Sequence, residues 1–483
     1  MKKLLIYSSI LLLLGSCTKD ISRFNEETKK APVVPAATLF ANGVRNVVDG
    51  ITSPNVNSNV FRFTVQHWAM STYQDEVQYD FITRAIPQRW WTIMYRDVLS
   101  DLKESARIIT LNTELDPITS SVLDPLTQAN RLAMVDIMEV YTYQILVTTF
   151  GNIPYSEALN LSLLFPKYDD AKTVYADLLT RLKLDISKLN VAGGGFSADQ
   201  DLLAHGSVEK WIKFSNYLQV KMAMNIADVD NATAKSLVEL AEAKAITSDA
   251  DNIVFNYLAA PPNTNPIWVD IVQSKRQDYV AASPLLNKLQ NSNDPRLPLF
   301  FKPNNANAYV GGRVGAVNTF SNVSKPNDKI AAPTFPAILA DYAEMEFYRA
   351  EARERNYTIA GSAESHYNNA ITASILSWGG STTDALTYLA RLDVAYTTAA
   401  GDWKQKIGTQ KWIALYNRPY EGWTEIRRFD FPVLAAPINA KSGFPNRLTY
   451  PANEQQLNGA NYTAASAAIG GDKVETKLFW DKF

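Results

Sequence analysis

Apolar residues recur three and four positions apart along two long stretches of the chain, at about residues 36–256 and 337–430. This spacing is typical of amphipathic helices, because it places the apolar side chains on one face. Two such stripes are Val174, Leu178, Leu182, Ile186 and Leu189, then Trp211, Phe214, Leu218, Met222 and Ile226. Ser207, before the second stripe, has the short hydroxyl side chain that caps helix N-termini. The pattern predicts a mostly α-helical protein.

The most apolar stretch, residues 132–150, contains Asp136 and Glu139. Charged groups are costly inside a bilayer, so this stretch is predicted to be a buried helix of a folded body. Gly151 and Pro154 follow it and predict its end, since both residue types interrupt helices.

Residues 257–336 lack helical periodicity. They contain ten prolines and many asparagines, which predict a loop-rich region with a few short strands at about residues 309–320. Long irregular segments in compact proteins are functional or disordered, and the aromatic residues Trp268 and Tyr279 favour order here. A C-terminal segment follows the second helical stretch at residues 431–483.

Small and aromatic residues alternate along two neighbouring helical faces after the loop-rich residues 257–336. The faces are Ala343, Phe347 and Ala350, then Ala363, Tyr367, Ala370, Ile371 and Ile375. Close helix approach at alanines beside an aromatic ring is typical of tetratricopeptide-like helix pairs. One such pair favours, but does not establish, a tetratricopeptide-like scaffold.

The first seventeen residues have the three parts of a bacterial lipoprotein signal. Lys2 and Lys3 precede an apolar run at residues 4–14, and the small residues Gly15 and Ser16 precede Cys17, the only cysteine. The run is too short to span a bilayer, which takes about 20 residues. We expect cleavage before Cys17 and lipidation of its thiol, with residues 18–35 as a flexible tether and residues 36–483 as the folded body.

The charge balance excludes one class of partner. Removing Lys2 and Lys3 with the signal takes the formal net charge from −2 to −4. Nucleic-acid binding rests on a basic surface, so no nucleic-acid partner is expected.

Neither a metal site nor a catalytic site is evident in the sequence. The histidines His67, His205 and His366 are scattered and are interpreted as surface or core residues, because a metal needs clustered ligands. A calcium loop at residues 193–201, with three glycines before Asp199 and Asp201, lacks the ordered oxygen ligands of known loops, so a flexible linker is favoured there. No cofactor is expected, although a structural calcium ion stays an open alternative.

Acidic residues beside arginines have two interpretations. Glu344 and Glu346, or Glu425 near Arg427 and Arg428, have the residue types of a hydrolase site. Glycoside hydrolysis needs two carboxylates about 5–10 Å apart in one cleft. Pairing of these carboxylates with arginines between helices is favoured, because a guanidinium suits two-point contact with a carboxylate. No enzymatic activity is expected.

Aromatic residues provide the binding hypothesis. A flat ring matches the apolar C–H face of a sugar, while nearby polar groups bond its hydroxyls. Any single ring is more often core than ligand contact. Trp211, Trp412 and Trp423 lie in helical motifs and are assigned to the core. The candidate ligand-binding residues are Trp68, Tyr73, Trp90 and Trp91 in one cluster, and Trp268, Tyr309 and Arg313 in another.

A series of motifs, in order along the chain, resembles the SusD/RagB-like outer-membrane lipoproteins. Four positions depart from the family pattern, namely Phe150, Asn152, Gly422 and Ile426, all at positions that look structural. The matching motifs are GNIPYSEA (151–158), KWIKFSNYL (210–218), NDPRLP (293–298), AEMEF with AEA (343–347 and 350–352), QKWIAL (410–415), EGWTEIRR (421–428), and PNRL with PANE (445–448 and 451–454).

The resemblance implies a tetratricopeptide-like helical scaffold with a loop-rich, ligand-binding region. It implies a non-enzymatic lipoprotein of the outer membrane, exposed at the cell surface, that captures glycans and delivers them to a partner TonB-dependent transporter barrel. Two alternatives stay open: the same role with peptide ligands, and an interaction scaffold without a small ligand.

Overall fold

The computed structural model describes residues 34–115 and 121–482, so Cys17 and the predicted signal and most of the tether lie outside the described residues. A π-helical segment, Ile93–Leu99, joins the helices Ile86–Thr92 and Ser100–Leu111. The helices are α1 (Ala36–Thr52), α2 (Phe61–Thr64), α3 (Ile86–Thr92), α4 (Ser100–Leu111), α5 (Pro125–Phe150), α6 (Ala171–Lys188), α7 (Val208–Asn225), α8 (Asn231–Ala241), α9 (Pro266–Trp268), α10 (Ser283–Asn291), α11 (Leu297–Phe300), α12 (Tyr342–Glu354), α13 (Ala363–Ser377), α14 (Thr382–Leu389), α15 (Trp403–Ala414), α16 (Pro419–Phe429), α17 (Ala452–Leu457) and α18 (Gly459–Ala468).

Helix ends follow local side-chain chemistry. Asp124 begins α5 by accepting from the Leu126 and Thr127 amides, and Ser207 begins α7 by accepting from the Lys210 amide at 3.2 Å. Helix α5 ends before Gly151, whose φ of +89° is accessible to glycine at little cost. The predicted buried helix and its end are therefore confirmed, and no helix within residues 34–115 and 121–482 is long and apolar enough to cross a membrane.

Helices α12 and α13 form the pair that the alternation of small and aromatic residues predicts. Phe347 and Ala350 of α12 pack with Tyr367 and Ile371 of α13 in a buried hydrophobic cluster. The remaining long helices also pack as sequential pairs, including α5 with α6, α7 with α8 and α15 with α16. The mostly helical, tetratricopeptide-like scaffold is confirmed.

Buried ion pairs connect these helices. Glu344 of α12 pairs with Arg418 at 2.6 Å, and Glu425 pairs with Arg428 at 2.6 Å within α16. Burial opposes ionisation of Glu344, but Arg418 and neighbouring lysines outweigh it and lower the pKa of Glu344 to about 2. The predicted pairing with an arginine of another segment is confirmed for Glu344, whereas Glu425 pairs with an arginine of its own helix and reaches Lys411 of α15 at 3.0 Å. Arg427 differs, because it donates to backbone carbonyls and lies 3.4 Å from the Trp423 ring centre.

Within residues 34–115 and 121–482, six short strands lie between and beside the helices. They form three antiparallel pairs, β1 with β3, β2 with β6, and β4 with β5. The strands are β1 (Trp68–Met70), β2 (Ile253–Phe255), β3 (Tyr279–Ala281), β4 (Phe301–Lys302), β5 (Lys325–Pro326) and β6 (Ala337–Ala340).

The strands expected at residues 309–320 are not formed there, and this prediction is corrected. The segment is a loop that touches the β1–β3 ribbon through one bridge, between Gly312 and Ala282. The side chain of Asn318 replaces strand pairing, because its amide group bonds the carbonyls of Met70, Arg313 and Ala316 at 2.9–3.0 Å.

Candidate functional site

Tyr73 follows β1 in a short segment that is fixed to the chain before β3. The register pairs Trp68 with Ala281 and Met70 with Tyr279. Beyond the ribbon, the Ser71 amide donates to the Asp278 carbonyl at 2.8 Å and its hydroxyl to the Gln277 carbonyl at 2.6 Å. These bonds hold the backbone two residues before Tyr73 in one position.

The ring of Tyr73 is 45% exposed and lies beside two guanidinium groups. The Cζ atoms of Arg84 and Arg276 are 5.2 and 5.8 Å from its ring centre. Such contacts are attractive, because the ring face carries partial negative charge. Arg84 pairs with Asp75 at 3.3 Å and Arg276 with Asp278 at 2.6 Å, so both guanidiniums are held in place.

A buried carboxylate lies beneath this surface. Glu76 contacts Arg84, yet burial raises the pKa of Glu76 above its ordinary value. The half-exposed ring, the two arginines and their carboxylates together place an aromatic surface beside hydrogen-bonding groups. A sugar ring has the matching combination of C–H faces and hydroxyls.

Arg313 is brought to the same end of the ribbon. The Arg313 amide donates to the Asn318 side chain at 2.9 Å, and Asn318 donates to the Met70 carbonyl at 2.9 Å. The Arg313 side chain is exposed. The structure therefore brings two of the sequence candidates, Tyr73 and Arg313, to segments that join at the end of β1.

Trp68 and Trp90 are reassigned from ligand contact to the core. Both are 0% exposed. The Trp68 indole donates to the Tyr416 hydroxyl at 2.8 Å, and Trp90 packs edge-to-face on Phe61 with 5.0 Å between ring centres. A ring with no exposed face has no surface on which a ligand can stack.

Trp91 is also buried, against Tyr95 and Phe150 at 4.7 and 5.0 Å between ring centres, and is likewise reassigned to the core. Trp268 and Tyr309 differ, because both are partly exposed. Trp268 ends α9, and Tyr309 begins the loop that carries Arg313. These two residues stay candidates for ligand contact.

Two of the scattered histidines and Asp201 make hydrogen bonds within the fold. His67 is buried, and its Nε2 lies 3.1 Å from the Trp412 carbonyl, while His366 bonds Glu346 at 2.8 Å. Asp201 accepts from backbone amides and from the Trp211 indole at 2.8 Å, so its carboxylate is already satisfied. Across residues 34–115 and 121–482, no three His, Cys, Asp or Glu side chains are grouped to hold a metal.

The glycine run at residues 193–195 is a packed turn, and its interpretation as a flexible linker is corrected. A Cβ at Gly193 would lie 2.7 Å from Leu126 Cβ, and one at Gly195 would lie 2.8 Å from Met134 Cε. At Gly193 the atoms in the way belong to Leu126 Cβ and its backbone, which cannot turn aside, so the close approach to α5 there requires glycine; at Gly195 the atom is the flexible end of Met134.

Arg84 and Arg276 are functional candidates that sequence reasoning missed. Arg84 lies 11 residues after Tyr73, and Arg276 lies three residues before Tyr279. Neither arginine belongs to a motif. The one local signal is that each has acidic neighbours, Asp75 and Glu76 or Asp278, within its own loop.

The chain matches the model of a known protein family. A SusD-like family model, described as starch-binding and associating with the outer membrane, matches residues 26–451. No curated protein matches the chain.

Solved structures share the fold over almost the whole chain. A chitin-binding protein is 25% identical, with a TM-score of 0.79, covering 93% of this chain and 100% of its own. A chitin-binding SusD homolog from Flavobacterium johnsoniae is 22% identical, with a TM-score of 0.79 and coverage of 92% and 98%. A SusD homolog from Bacteroides uniformis is 23% identical, with a TM-score of 0.77 and coverage of 92% and 100%.

Proposed function

The chain belongs to the SusD-like family, whose members are binding proteins associated with the outer membrane, and from this premise we propose that it captures glycans at the cell surface. The observation that carries the proposal is the exposed ring of Tyr73 between Arg84 and Arg276. Two structural neighbours bear names that give chitin as their ligand, which makes chitin oligosaccharides the first probes.

Titration calorimetry of the purified chain against chitin, starch and other oligosaccharides tests this proposal. A peptide panel runs in parallel, because peptide capture is the alternative role. We expect saturable binding of at least one oligosaccharide. Binding of peptides alone would move the ligand class to peptides, and binding of neither would favour a scaffold without small ligand.

We further propose that the protein is anchored by lipid at Cys17 and delivers its ligand to a TonB-dependent transporter barrel. An exposed apolar loop supports a protein partner. Leu161 and Leu164 are 98% and 81% exposed, and Phe165 is 60% exposed. The loop is held at its base, where Asn458 and Asn461 donate to the Pro166 carbonyl at 2.8 and 3.2 Å. Exposed apolar clusters on soluble surfaces mark interaction sites.

Charged substitutions in this loop test the partner. Leu161→Asp with Leu164→Asp places two charges where an apolar interface would form, without altering the buried core. We expect the transporter to stop co-purifying with the tagged chain from outer membranes. Leu386→Asp, at a 65% exposed leucine of α14, is the matched control and should leave co-purification unchanged. Unchanged co-purification of the double variant would remove this loop from the interface.

A further inference from the structure

A polar cleft of about 520 Å³ opens between α1, the loop after it and α3. This volume lies within the range of about 300–1,000 Å³ of small-molecule sites. Its walls carry hydrogen-bonding side chains rather than aromatic rings, with Asn46 from α1, Asn55 and Asn57 from the loop, and Arg89 from α3. The run of asparagines and serines at residues 53–59 supplies one wall.

Two of these side chains are available to a ligand. Arg89 is exposed, and in the described part of the chain no carboxylate lies within ion-pair distance of its guanidinium. Asn57 is exposed, and its backbone amide alone is used, in a 3.0 Å bond to the Asn55 side chain. A guanidinium and an amide together supply donors and an acceptor for hydroxyl groups.

The carboxylates of the cleft are already matched. Asp49 accepts from the Tyr257 hydroxyl at 2.9 Å and from Arg45 at 3.3 Å, and burial raises the pKa of Asp49. Asp97 pairs with Arg96 at 2.7 Å. Because these carboxylates are already paired, Arg89 is left to bind a ligand rich in hydrogen-bond acceptors such as hydroxyl oxygens.

Side-chain contacts through two charged residues connect the wall of the cleft with Tyr73. The Asn55 side chain lies 3.5 Å from Asp270 Oδ1, and Arg276 lies 3.9 Å from the same oxygen. Arg276 in turn lies against the Tyr73 ring. Three successive side-chain contacts therefore separate Asn55 in the cleft wall from the Tyr73 ring, a span that one chain molecule can bridge.

We propose that this cleft is a second subsite for a glycan chain, which Arg89 and Asn57 bind through its hydroxyl groups while Tyr73 stacks on another sugar of the same chain. The proposal rests on the proposed glycan-binding function. Its consequence is a dependence of affinity on chain length, because a short oligosaccharide reaches Tyr73 alone and a long one reaches both subsites.

The test compares chitin and starch oligosaccharides of two and six sugar units by calorimetry. For the wild-type chain we expect the six-unit ligand of the preferred glycan to bind at least about tenfold more tightly than the two-unit ligand. Arg89→Ala with Asn57→Ala should abolish this gain and leave two-unit binding unchanged. Arg107→Ala, at an exposed arginine of α4, is the control and should keep the gain.

Two results would overturn the second subsite: equal affinity for both lengths in the wild type, or a length gain that survives in the double variant. Neither result touches glycan binding itself. Absence of binding by every oligosaccharide to the wild type would instead reject the proposed function, and the subsite with it.

Discussion

The indole N–H of Trp68 donates a 2.8 Å hydrogen bond to the hydroxyl of Tyr416, in the interior between β1 and the end of α15. The same hydroxyl donates to the Phe300 carbonyl at 3.2 Å. The guanidinium of Arg62 lies 4.7 Å from the Trp68 ring centre on the same buried side. Trp68 thus positions the strand that leads to Tyr73, without reaching the surface itself.

The variant Trp68→Phe tests whether Trp68 stabilises the fold or contacts the ligand. The variant keeps an aromatic ring but removes the bond to Tyr416, and losing a buried hydrogen bond costs about 1–3 kcal/mol. We expect urea unfolding to report this loss, while calorimetry finds glycan affinity unchanged. A drop in affinity with unaltered stability would mean that Trp68 contacts the ligand.

Periodicity predicted the amphipathic helices well because their apolar faces repeat over several turns, as in α6 and α7. The strands predicted at residues 309–320 are absent, because the Asn318 side chain there takes the place of strand pairing.

The candidate site was harder to predict than the fold. Trp68 and Tyr73 lie five residues apart, yet one ring is buried and the other exposed. Arg276 reaches Tyr73 only through the β1–β3 pairing, a contact between residues 203 positions apart in the sequence.

His67 makes stability depend on pH. Burial, with Arg62 nearby, lowers the pKa of His67 to about 3. The unfolded chain, with a pKa near 6.5, therefore binds more protons below pH 6.5, and the contribution to stability is lost as pH falls from 6.5 towards 3. We expect a loss of about 1.5–2 kcal/mol between pH 6.5 and 5, measured by urea unfolding.

His67→Gln keeps a donor for the Trp412 carbonyl and should flatten this dependence. His366→Gln is the matched control with the opposite sign. Burial opposes the charge of His366, but its bond to Glu346 outweighs burial and raises the pKa of His366. Charged His366 therefore stabilises the fold at low pH, and this contribution is lost as pH rises. Replacing His366 should make the loss of stability on acidification larger. The same pH slope in His67→Gln and wild type would contradict the account.

Cys17→Ala tests the anchor, at a residue outside the described part of the chain. Without the thiol there is no acceptor for acyl chains, and stable attachment needs more than one chain. We expect the variant to leave the membrane fraction on cell fractionation and to bind glycan with unchanged affinity. A variant that stayed in the membrane fraction would show that the attachment does not depend on lipid at Cys17.

The most direct test of the central claim is calorimetric titration of Tyr73→Ala beside Tyr73→Phe, with the oligosaccharide that wild type binds best. Loss of an aromatic contact at the centre of a site typically costs more than about 1 kcal/mol. We expect Tyr73→Ala to weaken binding at least about tenfold and Tyr73→Phe, which keeps the ring, to stay within about twofold. Equal affinities for wild type and Tyr73→Ala would contradict the account that glycans bind on this ring.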